Sequence, residues 1–193
     1  MESNQKILNE IDSCINVYNT IFSKNKKVNY LSHFVTKGER YYQALEKYSV
    51  KNLEELNKIN IQIIKVIRKN NLLEGENMKK ELDKLNIGYV IEPGKFFAKG
   101  WSQIHYAEFW KKVVEKYADK VIFHDLFYTS EGGLEEFIIS IENNKEIRLF
   151  NNLKKFNSKN ILSKIEDTII RVDKIGEDIE RFKDIYLRLK KII

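Results

Sequence analysis

Apolar residues recur at three- and four-residue steps near the start of the chain and predict a helix over residues 1–25. Near the other end, residues 158–193 carry apolar side chains at almost heptad spacing, interrupted by Gly176. We expect one long helix there, which either packs on the N-terminal helix or pairs with a second chain. The two apolar sets are Ile7, Leu8, Ile11, Ile15, Tyr18, Ile21 and Phe22, and Leu162, Ile165, Ile169, Val172, Ile179, Phe182, Tyr186, Leu189 and Ile193.

Between these helices, residues 28–152 alternate short apolar runs with longer amphipathic segments. The short runs predict strands at Val28–Phe34, Ile87–Ile91, Val121–His124 and Ile147–Phe150. The amphipathic segments predict helices after Gly38, over Leu53–Lys69, over Met78–Leu85, from Ser102 to Tyr117, and from Gly132 or Gly133 to Ile141. Strands separated by helices imply parallel pairing. We therefore expect a Rossmann-like three-layer α/β domain with a parallel sheet of about four or five strands, plus helices at both ends.

Composition narrows the class of protein. The chain has 193 residues, 42% of them hydrophobic, which suits one domain with a core. No apolar run approaches the ~20 residues of a membrane helix. The chain contains one cysteine, and its first residues lack the features of a signal peptide. We expect a cytoplasmic protein that does not bind membranes. The net charge of +6 permits an anionic ligand, but the basic residues are scattered, which makes nucleic acid an unlikely partner.

Ligands of parallel α/β sheets bind beyond the carboxyl ends of the strands, and two loops there carry candidate binding residues. After the first strand, Gly38 lets the backbone approach a ligand, and Lys37 and Arg40 are candidates to hold a phosphate or carboxylate. After the second strand, Trp101 is a candidate to stack on a base, with the core as the alternative. The three histidines and one cysteine lack metal-ligand spacing, so we expect neither a metal nor a cofactor.

The loop after the third strand carries three carboxylates. Asp125 follows the strand, and Glu135 and Glu136 lie in the first turns of the next helix. Acidic residues are common at helix starts because they complement the helix dipole, which is one explanation of the pair. The alternative is that carboxylates converge on one cleft, as cleavage of a glycosidic bond requires.

The residues Asp125, Ser130, Gly132 and Glu136 form the pattern strand–D–x(4)–S–x–G–x(3)–E. This pattern resembles the nucleoside 2-deoxyribosyltransferase family and its N-glycoside hydrolase relatives. The stretch NYLSHFVTKGERYY looks similar to that family's first strand and ligand loop, and VIEP fits its middle. The resemblance spans about residues 28–152.

The resemblance implies roles for these residues. A glutamate at the position of Glu136 would attack the sugar C1′, and Asp125 would help the leaving base or orient the sugar. Tyr128, Ser130 and the backbone at Gly132 would contact sugar or phosphate. Glu135 is adjacent, so a one-residue shift would make it the nucleophile instead.

We therefore expect cleavage of the N-glycosidic bond of a nucleoside or nucleotide, by hydrolysis or transfer. The resemblance also implies a homo-oligomer. Two alternatives stay open: a non-catalytic sensor of a nucleotide-derived signal, and an NAD-cleaving enzyme like the TIR-type domains, which share this topology with nucleotide-sensing SLOG-type domains.

Overall fold

A parallel four-stranded sheet forms the centre of the protein, as seen in a computed structural model that describes residues 2–22, 27–156 and 160–193. The strands are β1 (Val28–Ser32), β2 (Tyr89–Ile91), β3 (Lys120–Phe123) and β4 (Glu146–Leu149). They pair in the order β2-β1-β3-β4, and all three pairings are parallel. The predicted α/β class and parallel sheet are confirmed.

Helices cover both faces of this sheet, and further helices lie at both ends of the chain. They are α1 (Glu2–Phe22), α2 (Glu39–Tyr48), α3 (Leu53–Lys84), α4 (Gln103–Tyr117), α5 (Glu131–Glu142), α6 (Ile161–Ile175) and α7 (Glu180–Ile192), with short 3-10 turns at Pro93–Lys95 and Phe127–Thr129. Among the helices of the described residues, none is long and apolar enough to cross a membrane.

The two faces of the sheet have separate cores because successive side chains of a strand point to opposite sides. Leu31 and Ile122 pack with Met78 of α3 on one face. Tyr30 and Phe123 belong to the larger cluster with α4 and α5 on the other face. The carboxyl end of each strand therefore presents one residue to α3 and the next to α5.

Helix α3 differs from the prediction of two separate helices, Leu53–Lys69 and Met78–Leu85. It runs unbroken through the predicted gap and is interrupted only at Asn60, where φ is −164° and ψ is 108°. Inside the predicted gap, Asn71 and Gly75 are buried. Packing on the sheet side thus sustains a helix through a stretch whose polar composition and glycine indicated a break.

The C-terminal segment is a helical hairpin, so the prediction of one long helix is wrong. Gly176 adopts φ 89°, and its N–H and that of Glu177 donate to the carbonyl of Val172, which ends α6. Helix α7 packs on α6 and on α5, whereas α1 packs on α4. The last three residues of the predicted N-terminal helix, 23–25, and the first two of the predicted C-terminal one, 158–159, lie outside the described residues.

Candidate functional site

The strand order puts a topological switch point between the carboxyl ends of β1 and β3, after Ser32 and Phe123, and we call the space beyond these two strand ends the crevice. The chain leaves β1 for β2 on one side of the sheet and returns through α4 to β3 on the other. Loops that follow β1 and β3 therefore diverge, and such a switch point is where open α/β sheets bind ligands.

Glu136 reaches this edge of the sheet from α5. The Tyr30 hydroxyl donates to Glu136 Oε1 over 2.6 Å. Helix α5 begins at Glu131, after its N-cap Ser130, whose side chain accepts the Gly133 N–H, and Glu136 lies in its second turn. The contact joins two residues 106 positions apart in the chain.

Burial governs the charge of Glu136. Part of the residue is accessible, but protein atoms surround its carboxylate. Burial raises the pKa of Glu136 above its usual value, and hydrogen bonds from Ser32 and Tyr30 and the positive charge of His33 oppose the rise only in part. This carboxyl group therefore exchanges its proton closer to neutral pH than an exposed glutamate does.

The neighbouring Glu135 points elsewhere. Both of its carboxylate oxygens accept from Arg188 Nη1 of α7, at 3.1 and 3.0 Å. Adjacent residues of a helix lie about 100° apart around its axis, so only one of the two glutamates faces the sheet. That residue is Glu136.

Asp125 does not join Glu136, contrary to the expected convergence of the two carboxylates. Its Oδ2 accepts the N–H of Asn151 over 3.3 Å, and it lines a cleft of about 810 Å³ beside α3. Phe123 faces α5, so His124 after it faces α3, and the chain then turns with Asp125 on that side. Strand alternation thus separates Asp125 from Glu136.

Arg40 lines the same cleft, but carboxylate and amide groups of α3 hold its guanidinium. Arg40 Nη1 donates to Asn71 Oδ1 at 2.9 Å and to Glu74 Oε2 at 2.6 Å. The Leu126 N–H donates to His124 Nδ1, so His124 Nε2 carries its proton toward Glu74 Oε1 at 3.4 Å. Burial lowers the pKa of His124, although Glu74 opposes the shift. The cleft thus contains an internally neutralised Arg–Glu–His group.

A buried pair joins the ends of β1 and β2. His33 Nε2 lies 2.5 Å from Glu92 Oε1, and the two side chains are 1% and 4% exposed. His33 Nδ1 faces the Phe34 carbonyl at 2.8 Å, so both ring nitrogens face acceptors. Burial opposes ionisation of Glu92, but hydrogen bonding to His33 and to the Gly94 N–H leaves its pKa below the usual value.

Lys37 and Gly38 lie at the start of α2. Lys37 Nζ contacts Glu177 Oε1 at 2.8 Å, and Glu177 follows Gly176 in the turn before α7. Gly38 precedes α2 with φ 138°, and a side chain there would clash with the Phe34 ring, whose nearest atom lies 2.6 Å from the added Cβ. This position therefore requires glycine.

The other predicted binding residues have local structural contacts. Trp101 is 9% exposed within an aromatic cluster, and its Nε1–H donates to Glu10 Oε2 over 3.2 Å. Lys164 Nζ lies 4.9 Å from the centre of the Tyr128 ring. Ser130 is the N-cap of α5, and Gly132 is exposed in its first turn. Trp101 thus takes the core alternative, away from the crevice.

Sequence reasoning missed Tyr30, Ser32 and His33, which influence the Glu136 carboxylate, and Glu92, which contacts His33. Strand periodicity indicated two of these residues in part, because Tyr30 and Ser32 are two positions apart and so lie on one face of β1, which ends at the crevice. Nothing in the sequence near His33 indicated that this residue contacts α3 and Glu92. Within the parts of the chain that the structure describes, no group of three or more His, Cys, Asp or Glu side chains is arranged to hold a metal ion.

Comparison of the chain with protein-family models, curated proteins and solved structures finds no match.

Proposed function

We propose that the protein cleaves the N-glycosidic bond of a nucleoside or nucleotide, with Glu136 as the reacting carboxylate. The observation that carries the proposal is the hydrogen bond of 2.6 Å between Glu136 and Tyr30, which lies two residues before the end of β1. The topology favours ligand binding at this point, and a carboxylate with a raised pKa in such a crevice is typical of a catalytic group.

The chemistry follows from the ionised form of Glu136. Its carboxylate attacks C1′ of the sugar while the C1′–N bond breaks, and the bonding electron pair leaves with the base, which takes up a proton. Water or a second base then displaces the carboxylate from C1′. Tyr30 holds Oε1 by donation, so the carboxylate is fixed before the sugar arrives.

Other predicted residues take places around this reaction. Ser130 and the backbone of Gly132 lie at the start of the helix that carries Glu136, where free N–H groups attract the anionic part of a substrate. Tyr128, four residues after His124, belongs to the same loop. Asp125 lies on the α3 side, so its proposed role is to orient the leaving base from the neighbouring cleft.

Chromatography of nucleosides, nucleoside monophosphates and NAD after incubation with the protein tests the proposal. We expect wild type to release free base and Glu136→Gln to lose at least about 100-fold of that rate, since it keeps the shape and removes the charge. Tyr30→Phe should lose about 10- to 100-fold, because a hydrogen bond to a charged group contributes about 1.5–3 kcal/mol.

Glu135→Gln is the matched control on the same helix. It breaks the contact with Arg188 but leaves the crevice unchanged, so its rate should equal that of wild type. Equal rates for wild type and Glu136→Gln, or no base released from any substrate, would contradict the proposed reaction.

A binding module for a nucleotide-derived signal is the second candidate, and the separate cleft beside α3 favours it. That cleft of about 810 Å³ contains Arg40, His124 and Asp125 but not Glu136. Under this candidate, calorimetry shows the same affinity for wild type and Glu136→Gln, no base is released, and Asp125→Asn weakens binding.

The proposed enzyme acts as a homo-oligomer, a proposal that rests on the family resemblance, and in the cytoplasm, a proposal that rests on composition. Exposed apolar side chains in the first half of α3 support the homo-oligomer: Ile59, Ile61 and Val66 are 50–56% exposed and offer a surface for a second copy. Sedimentation velocity tests this point, because a monomer at all concentrations would contradict it.

A further inference from the structure

The cleft beside α3 has two walls of different origin. One wall is α3 itself, and the other is formed by the residues that follow β3 and β4, among them Asp125 and Asn151. The core on this face of the sheet takes its helical residues, Met78 and Leu82, from α3, whereas α4 and α5 pack on the other face. With about 810 Å³ beyond the carboxyl ends of two parallel strands, the cleft has the size and place of a small-molecule site.

The cleft is long and partly apolar. Its lining on α3 runs from Asn70 to Glu81, and at about 1.5 Å per residue this wall is about 16 Å long. Leu73 and Met78 add apolar surface along this wall and Phe150 adds it opposite, and Leu73 is 51% exposed. An extended ligand with apolar segments therefore fits the cleft better than a compact one.

The charge of the lining is negative, although the chain carries a net charge of +6. Glu74 neutralises Arg40, whose Nη1 lies 2.6 Å from its Oε2. Burial lowers the pKa of His124, so its ring is uncharged at neutral pH. Two carboxylates remain, Glu81 on α3 and Asp125 on the opposite wall, and the ion pairs of the described residues include neither. Such a cleft concentrates cations from solution.

Asp125 is the more buried of these two carboxylates. It is partly accessible, whereas Glu81 is exposed. Its Oδ2 accepts the Asn151 N–H over 3.3 Å, which fixes the carboxylate on its wall. Solvent screens an ion pair less where the carboxylate is partly buried, so a cation gains more from Asp125 than from Glu81.

We infer that the cleft beside α3 binds a linear polyamine. One ammonium group pairs with Asp125, another with Glu81, and the alkyl segments between them pack on Leu73 and Phe150. Three features of one cavity select this class of ligand together: its length, its apolar lining and the two carboxylates on opposite walls. A single ammonium group or a metal ion would use only one of these features.

The inference goes beyond the proposed function and does not rest on it. The reacting carboxylate of the proposed glycosidase, Glu136, belongs to α5. The second candidate, a sensor of a nucleotide-derived signal, uses the same cleft, but a phosphate there would face Glu81 and Asp125 and be repelled by both. The two proposals for this cleft therefore predict ligands of opposite charge.

Calorimetric titration with spermidine at low ionic strength tests the inference. We expect one spermidine to bind to wild type, and added salt to weaken the binding. Asp125→Asn should bind about 10-fold more weakly and Glu81→Gln about threefold more weakly, in line with a partly buried and an exposed ion pair. Asn77→Lys should abolish binding, because it adds an ammonium group to the α3 wall at an exposed position.

Asp83→Asn is the matched control, because it removes the same charge from α3 only two residues from Glu81. Asp83 pairs with Lys79 at 2.6 Å and is not among the described residues that line the cleft. This variant should bind spermidine as wild type does, and thermal unfolding checks that every variant is folded. Should Asp125→Asn fail to fold, Asn77→Lys decides the question, since its position is exposed.

Two results would overturn the inference. One is equal spermidine affinity in wild type and Asn77→Lys, or in Asp83→Asn and Asp125→Asn. The other is tighter binding of AMP or of Mg²⁺ than of spermidine at the same ionic strength. Tighter binding of AMP would support the nucleotide sensor, and tighter binding of Mg²⁺ would indicate attraction of any cation.

The titration also separates this site from the proposed reaction. Spermidine binding without release of base from any substrate would support the polyamine site and refute the glycosidase. Release of base by a protein that does not bind spermidine would support the glycosidase and refute the polyamine site.

Discussion

Replacing Gly75 by alanine tests whether the buried His33–Glu92 pair depends on a glycine of α3. A Cβ at Gly75 would lie 2.2 Å from His33 Cε1 and 2.4 Å from Nε2, far inside van der Waals contact. The imidazole cannot yield toward solvent, because its side chain is 1% exposed and its Nε2 lies 2.5 Å from Glu92. The substitution must displace either the ring or the helix.

The expected cost follows from three contributions. Overpacking a filled core costs about 1–3 kcal/mol, and separating a buried ion pair while leaving its charges in place costs about 3–5 kcal/mol. Gly→Ala within a helix returns about 1 kcal/mol. If the ring moves only far enough to weaken the pair, the net loss is about 2–4 kcal/mol in the free energy of unfolding.

Urea unfolding of matched variants measures this loss. Gly132→Ala is the control, because Gly132 is also helical and its added Cβ would meet nothing closer than Ser130 Oγ at 3.8 Å. That variant should be unchanged or more stable by up to about 1 kcal/mol. The double variant His33→Ala/Gly75→Ala should be more stable than His33→Ala alone, since the obstructing ring is gone.

A Gly75→Ala variant as stable as Gly132→Ala would refute the reasoning. It would mean that the His33 ring does not pack against α3. A penalty that persists unchanged in the His33→Ala background would equally place its cause elsewhere in α3.

Three further predictions concern charge. The folded pKa of Glu136 is raised above its usual 4.5, so its contribution to stability is present below that pH and lost as pH rises. In urea unfolding, Glu136→Gln should therefore gain stability relative to wild type as the pH rises toward neutral. A difference in stability between the two proteins that stays constant with pH would contradict this. The folded pKa of Glu92 is lowered, so its contribution is present above about pH 4.5 and lost in acid; Glu92→Gln should be least stable relative to wild type at neutral pH, with the deficit shrinking in acid. Arg171→Ala should lose about 1–2 kcal/mol of stability in thermal unfolding, because two carboxylates of α2 hold its partly buried guanidinium. Arg188→Ala should lose less than about 1 kcal/mol, because the ion pair of Arg188 with Glu135 is more exposed.

Local patterns in the sequence determined the class of fold. Short apolar runs separated by amphipathic segments predicted all four strands and their parallel pairing, because strand and helix periodicities differ and are visible in a single window. The break at Gly176 was also visible, since glycine is the residue that adopts a left-handed backbone at low cost. The sequence did not show that the chain reverses there into a hairpin.

Tertiary packing decided which candidate residues meet. The sequence did not distinguish the neighbours Glu135 and Glu136. Because of the position of α5 on the sheet, Glu135 contacts Arg188 and Glu136 contacts Tyr30. Asp125 and Glu136 looked like partners in sequence but face α3 and α5, because a side chain at the end of a strand follows the alternation of that strand.

The longest-range contacts were invisible to any local pattern. Glu177 reaches Lys37 only because α6 and α7 pack on α2 and α5, and nothing in the residues around Glu177 indicates a partner about 140 positions away. His33 and Glu92 meet for the same kind of reason, since parallel strands bring their carboxyl ends to one edge of the sheet. Periodicity determines which face a residue occupies, and only the packed chain determines what that face touches.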